Sequence, residues 1–261
     1  MQYPPIAGID FTSRPTRRKP ITVALGERSG AVVKLVRVEE HAQFETFAAW
    51  LRTPGPWLGA FDFPFGLPRG LVATLGWPTD WLPLMQHYAA LSREQIRATF
   101  AAFCDARPVG GKFAHRVCDI PAGSSPSMKW VNPPVAYMLH AGVPLLIDAG
   151  VDLPGLHTGD ASRVALEAYP GLLARELIGH RSYKSDEKAK QTPERLIARK
   201  DLLEALEQGR TRLGLRLRLT HAQRDALVAD ASGDKLDAVL CLVQAGWAAG
   251  EPNHGLPANI D

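Results

Sequence analysis

Ile6-Ala7-Gly8-Ile9-Asp10-Phe11-Thr12-Ser13 is the stretch on which the fold turns. Four apolar or small residues run into a carboxylate, with two hydroxyls just beyond Phe11. Such a run reads as a buried central strand. Asp10 then stands where the strand leaves the core, the edge at which open α/β sheets bind ligands. Gly8 allows another backbone to approach closely. A plainer role for Asp10 and Thr12 is to shape a turn through side-chain to backbone hydrogen bonds.

Working outward, a basic turn, Arg14 to Pro20, follows. Ile21–Leu25 and Ala31–Val38 are rich in β-branched residues and read as strands, with Gly26 to Gly30 as a hairpin loop. Phe44, Phe47, Ala48 and Leu51 have the i, i+3, i+4, i+7 spacing of an amphipathic helix, ended by Pro54-Gly55-Pro56. Trp57-Leu58-Gly59-Ala60-Phe61-Asp62-Phe63-Pro64 then echoes the opening run. A right-handed crossover lays it parallel to the first strand and brings Asp62 to the same sheet edge as Asp10. Two carboxylates meeting there need a metal, a proton or a cation. Alternatively, Asp62 bonds to the turn behind it.

Residues 69–164 read as a helical insertion. Thr79–Leu91 and Pro134–Gly150 are helical, and Ser92-x-x-Gln95 is a capping box. Between them Arg116, Asp119 and Lys129 either line a substrate cleft or form an internal salt bridge and a solvated lysine. Val164 to Gly171 repeats the strand-and-carboxylate theme with Glu167. Leu196, Leu203 and Leu206 mark the buried side of a helix begun by Thr192-Pro193, and Thr220-x-x-Gln223 is a second capping box. The closing helix, Ser232–Trp247, carries Asp234 and Asp237 on one face of its first turn. The helix dipole explains Asp234. Asp237 stands in an apolar stretch and needs a partner.

Composition narrows the classes. With 46% hydrophobic and 22% charged residues in a 261-residue chain, a folded domain is expected and disorder is not. No apolar run has the length of a membrane span, and no secretory signal is apparent at the N-terminus. Cys104, Cys118 and Cys241 are far apart, which argues against zinc and disulfide frameworks and for a reduced, cytoplasmic setting. Zinc-protease and serine-elbow motifs are missing. Residues 175–218 hold twelve Lys/Arg against seven Asp/Glu, a surplus of five in a chain whose net charge is +3. That concentration fits a phosphate-binding footprint, or a solvated helical face.

Taken in order, Gly-Ile-Asp10, Phe-Asp62-Phe-Pro-Phe-Gly-Leu-Pro, Glu167-Ala-Tyr-Pro, Tyr183-Lys184 and Asp234-x-x-Asp237-Ala-Val-Leu-Cys resemble the domain of unknown function 429 family, described as predicted nucleases of ribonuclease H-like fold. The resemblance covers nearly the whole chain. It implies one α/β domain over residues 1–261, with a mixed five-stranded sheet, helices on both faces and the helical insertion between strands 4 and 5. The acidic residues would meet at its centre. Phosphodiester hydrolysis needs charge neutralisation and an activated water, which two divalent cations roughly 4 Å apart supply. Mg²⁺ or Mn²⁺ takes oxygen ligands. Asp10, Asp62 and Asp237 are the expected catalytic ligands, with Asp234 or Glu167 completing the set. Arg116, Lys129, Lys184, Arg195 and Arg199 are expected on the substrate, a nucleic acid or another phosphoester. The rivals are a non-catalytic nucleic-acid-binding module of the same fold and an actin-like phosphotransferase. Phe11 stands where the latter resembles Asp-x-Gly-Thr, which counts against it.

Overall fold

The computed structural model describes residues 3–257. Ile6–Asp10 is a strand, β1, buried at all five positions. It sits inside a sheet because both of its edges are paired. On one side it runs antiparallel to β2 (Ile21–Ser29), which in turn pairs antiparallel with β3 (Val32–His41). On the other it runs parallel to β4 (Trp57–Phe61), after the crossover through α1 (Phe44–Leu51).

The chain then passes through α2 (Arg69–Leu75), α3 (Trp81–Ala90), α4 (Arg93–Asp105), α5 (Asp119–Ala122) and α6 (Val135–Ala149). Both expected capping boxes form; Ser92 caps α4, with Gln95 bonding back. Two strands follow, β5 (Val151–Asp152) and β6 (Asp160–Glu167), then α7 (Pro170–Ile178) and α8 (Pro193–Glu207). A short strand, β7 (Arg216–Arg218), precedes α9 (His221–Ala229) and α10 (Asp234–Ala248).

The mixed sheet therefore has seven strands, in the order β5-β6-β4-β1-β2-β3-β7, and not the expected five. The two additions are edge strands of two and three residues, too short to carry an alternating pattern that sequence can display. The β2–β3 hairpin is also tighter than expected. Gly26 to Ser29 continue β2, and a register shift between Leu25 and Gly26 absorbs the irregularity. Gly30, at φ +56°, makes the turn.

Strand alternation splits the apolar residues between two faces. Ala7, Ile9, Ile21, Val23 and Phe61 join Phe47, Phe100, Leu139 and Val143 beneath α1, α4 and α6. Ile6, Ala24, Leu58, Ala60 and Leu166 join Leu173, Leu202, Leu227 and most of α10 on the other side. Helices thus cover both faces, and α10 crosses β1 and its neighbours at the middle of the sheet. No helix among the described residues is long and apolar enough to cross a membrane.

Candidate metal centre

Three elements bring three carboxylates together. The parallel register pairs Ile9 with Phe61. The ladder runs one step further, with the Asp62 amide donating to the Ile9 carbonyl at 2.9 Å. Asp10 and Asp62 therefore leave the sheet side by side at the C-terminal ends of neighbouring strands. The third comes from α10, which lies against β1 because Gly8 has no side chain. A Cβ there would overlap the Ala238 carbonyl oxygen and the Leu242 amide. The small residues Ala238, Cys241 and Ala245 keep that helix face flat, and all are buried. At the start of α10, Asp230 accepts hydrogen bonds from the Lys235 amide at 2.9 Å and the Ser232 hydroxyl at 2.6 Å, and Gly233 turns at φ +80°. Asp237, in the first turn, is fully buried and faces the sheet edge. One oxygen from each of Asp10, Asp62 and Asp237 lies within 4.8 Å of the others.

Electrostatics mark the cluster as under-neutralised. Burial, followed by the charges of Asp237 and Asp234, pushes the Asp10 carboxyl well above its ordinary value. Burial and then Asp237 push Asp62 up to about 7. Lys184 opposes both shifts without cancelling them. The Asp237 carboxylate has two partners, the Tyr183 hydroxyl and the Lys184 ammonium, one donating to each oxygen. Burial raises the Tyr183 hydroxyl far above its usual range, and Asp237 adds to that, so it remains a donor. Burial also raises the Cys241 thiol beneath the cluster, as do the three carboxylates, which keeps it neutral. No hydrogen bond from the described residues reaches the carboxylates of Asp10 or Asp62. Three oxygen ligands, two of them without a protein donor, suit a hard divalent cation.

The remaining expected residues take other positions. Asp234 shares the first turn with Asp237 but is paired with Lys19, Nζ to Oδ1 at 2.6 Å, and Lys19 also reaches Asp186 at 2.9 Å. Glu167 accepts from both terminal nitrogens of Arg116, each at 2.7 Å, and from the Phe65 amide at 2.9 Å. Arg116 also holds the buried Asp119 at 2.8 Å, so it ties the segment before α5 to the end of β6. Arg199 is turned inward, its guanidinium donating to the Val228 and Tyr183 carbonyls at 2.8 and 2.7 Å. It supports the loop that carries Tyr183 and Lys184. Arg195 donates to the Lys190 carbonyl at 2.6 Å. Lys129 contributes its backbone to the loop before α6, and its ammonium has no ion pair among the described residues. Lys184 is the one expected cation that touches the cluster.

Two contributors escaped the sequence reading. Tyr183 enters the sequence reading only as part of a motif, and a buried tyrosine gives no sign from sequence that its hydroxyl faces a carboxylate. Lys19 sits in a turn without periodicity, so nothing in its neighbourhood points to Asp234.

No protein-family model matches the chain, and neither a curated protein nor a solved structure matches it significantly. The functional reading rests on the geometry.

Proposed function

We propose that the protein is a divalent-metal-dependent phosphodiester hydrolase, a nuclease, with Mg²⁺ or Mn²⁺ held by Asp10, Asp62 and Asp237. The observation carrying this reading is the convergence of these three carboxylates within 4.8 Å, two of them without a hydrogen-bond donor among the described residues. A further support is the strand order β3-β2-β1-β4-β6 in the middle of the sheet, an antiparallel meander followed by two parallel strands. A mixed sheet with helices on both faces is what the ribonuclease H-like resemblance implies.

When bound there, a divalent ion neutralises charge on a phosphoryl group and makes a bound water acidic enough to act as a nucleophile. The protein's residues do the rest. Asp10 and Asp62 are fixed by strand pairing, so their separation is set before any ligand arrives. Tyr183 and Lys184 hold Asp237 in one rotamer. Lys184 keeps a side chain 43% exposed, which leaves its ammonium open to a phosphate oxygen beside the carboxylates. Partial burial works against that charge, but Asp237 outweighs it and holds Lys184 protonated.

A second reading, a binding module without turnover, is favoured by one contact. Lys184 already neutralises Asp237. The actin-like alternative is opposed by the run Asp10-Phe11-Thr12, which lacks the glycine of Asp-x-Gly-Thr, and by Phe11, whose ring centroid lies 4.6 Å from that of Phe63 inside the core. Calorimetry with Mn²⁺, together with cleavage of labelled DNA and RNA, separates the first two readings. The nuclease reading expects stoichiometric Mn²⁺ binding and Mn²⁺-dependent cleavage, both lost in Asp10→Asn. Mn²⁺ binding without cleavage of any phosphoester selects the binding module, and no Mn²⁺ binding rejects the metal centre.

A further inference from the structure

The basic surplus of residues 175–218 is largely engaged within the protein. Eight of its twelve cationic side chains are bonded to carboxylates or carbonyls: Arg175, Arg181, Lys184, Lys190, Arg195, Arg199, Arg212 and Arg216. The turn between β1 and β2 is different. Arg14, Arg17 and Arg18 are exposed, and none makes a hydrogen bond or ion pair with the described residues. No acidic residue lies between Phe11 and Pro20 to offset them.

This turn is fixed beside the carboxylates at both ends. At its start, Arg93 of α4 donates to the Ser13 carbonyl at 2.7 Å, three residues beyond Asp10. At its end, Lys19 pairs with Asp234 at 2.6 Å, on the same helical turn as Asp237. Inside it, the Thr16 amide donates to the Lys19 carbonyl at 3.0 Å, and the Lys19 amide donates back to the Thr16 hydroxyl at 3.1 Å. The Lys19 ammonium is therefore held in place, and the three arginines project from a closed loop. Arg93, which holds the Ser13 carbonyl and stacks over Tyr137, and Glu94 both lie close to Arg14, which leaves Arg17 and Arg18 as the turn's freest guanidinium groups. Burial of a charge is costly, whereas an exposed arginine beside a carboxylate centre is free to bond phosphate.

We propose that the β1–β2 turn, residues 14–19, is the phosphate-binding arm of this centre, gripping the backbone of a nucleic-acid strand whose scissile phosphate lies over Asp10, Asp62 and Asp237. Arg14, Arg17 and Arg18 make the contacts; Lys19 is a positioning residue that anchors the turn to α10. The inference rests on the proposed function in taking a phosphodiester polymer as the ligand.

The test is fluorescence anisotropy of a labelled single-stranded DNA with the full chain, in EDTA to prevent cleavage, across a salt series. Arg14→Ala, Arg17→Ala and Arg18→Ala together should lower the slope of log K against log salt by about 2, and weaken binding roughly a hundredfold at 0.1 M salt. The control removes the same charge elsewhere: Lys200→Ala, Arg210→Ala and Arg218→Ala together should leave the slope unchanged. A control triple as damaging as the first reduces the effect to net charge and overturns the proposal, as does a turn triple that binds like the parent. Mn²⁺ calorimetry on the parent keeps the two claims apart. Loss of DNA affinity in the turn triple alongside no Mn²⁺ binding preserves the arm and removes the nuclease. Mn²⁺-dependent cleavage with an unaffected turn triple does the reverse.

Discussion

Replacing Asp62 by Asn removes one charge from the cluster while keeping its shape. The carboxylate oxygens of Asp10, Asp62 and Asp237 lie within 4.8 Å of one another. At an effective dielectric constant of about 20, each ionised pair at that separation repels by roughly 3.5 kcal/mol. For Asp62 burial is the larger penalty; the charges of Asp237 and Glu167 add to it, and Lys184 opposes it. A carboxyl moved from 3.8 to about 7 carries about 4 kcal/mol of differential energy. Its folded-state value lies above the unfolded one, so the folded chain binds the extra proton between pH 4 and 7. The metal-free protein thus loses stability as pH rises through that window, and the full penalty is present at pH 8. In EDTA at pH 8, Asp62→Asn should be more stable than the parent by about 2–4 kcal/mol, a rise of roughly 6–12 °C in melting temperature. At pH 5 the folded parent carries the proton while the unfolded chain has lost most of it, so the gap should shrink to about 1–2 kcal/mol. With Mn²⁺ at a hundred times its Kd the parent should gain about 2.7 kcal/mol and the variant far less. Scanning calorimetry at both pH values, with EDTA and with Mn²⁺, reads all of this. An Asn variant that is equally destabilised at pH 5 and 8, beside a parent indifferent to Mn²⁺, would refute the reasoning.

Three further outcomes follow from the same geometry. Mn²⁺ must displace the proton on Asp62, so its affinity by calorimetry should climb with pH up to about 7 and level off above it. Gly8→Ala forces a methyl group into the backbone of α10 and should cost about 3 kcal/mol or more in denaturant unfolding; a change below about 1 kcal/mol would mean that α10 is not seated on β1. Arg116→Met leaves Asp119 buried without its cation and should cost about 3–5 kcal/mol, whereas Arg116→Met with Asp119→Leu should recover most of that loss.

Much of the architecture could be read from the chain because its signals are local. The Ile6 run, the Trp57 run and the last helix each announce their burial, and the crossover rule sets β4 parallel to β1. Asp10 and Asp62 are expected together on that ground; Asp237 joins them only through the family resemblance. What sequence could not supply is which cation meets which anion. Arg199 reads as a surface charge in a basic stretch, yet its guanidinium bonds two carbonyls. Glu167 ends a strand like Asp10 and Asp62, but Arg116, from a distant loop, occupies it. Such pairings depend on loop paths, and loops carry no periodicity.

The seating of α10 on Gly8 also sets the time at which the centre can exist. Asp10 and Asp62 belong to β1 and the end of β4, which are made before α10, the helix that carries Asp237. Until α10 has left the ribosome and packed across the sheet, the nascent chain carries two neighbouring carboxylates with neither the third ligand nor Lys184 held in place. A protein that cuts nucleic acid would be synthesised beside a great deal of RNA. Under the proposed function, the wait for α10 would delay activity, since the centre closes through contacts between residues far apart in the chain, among the slowest that folding makes.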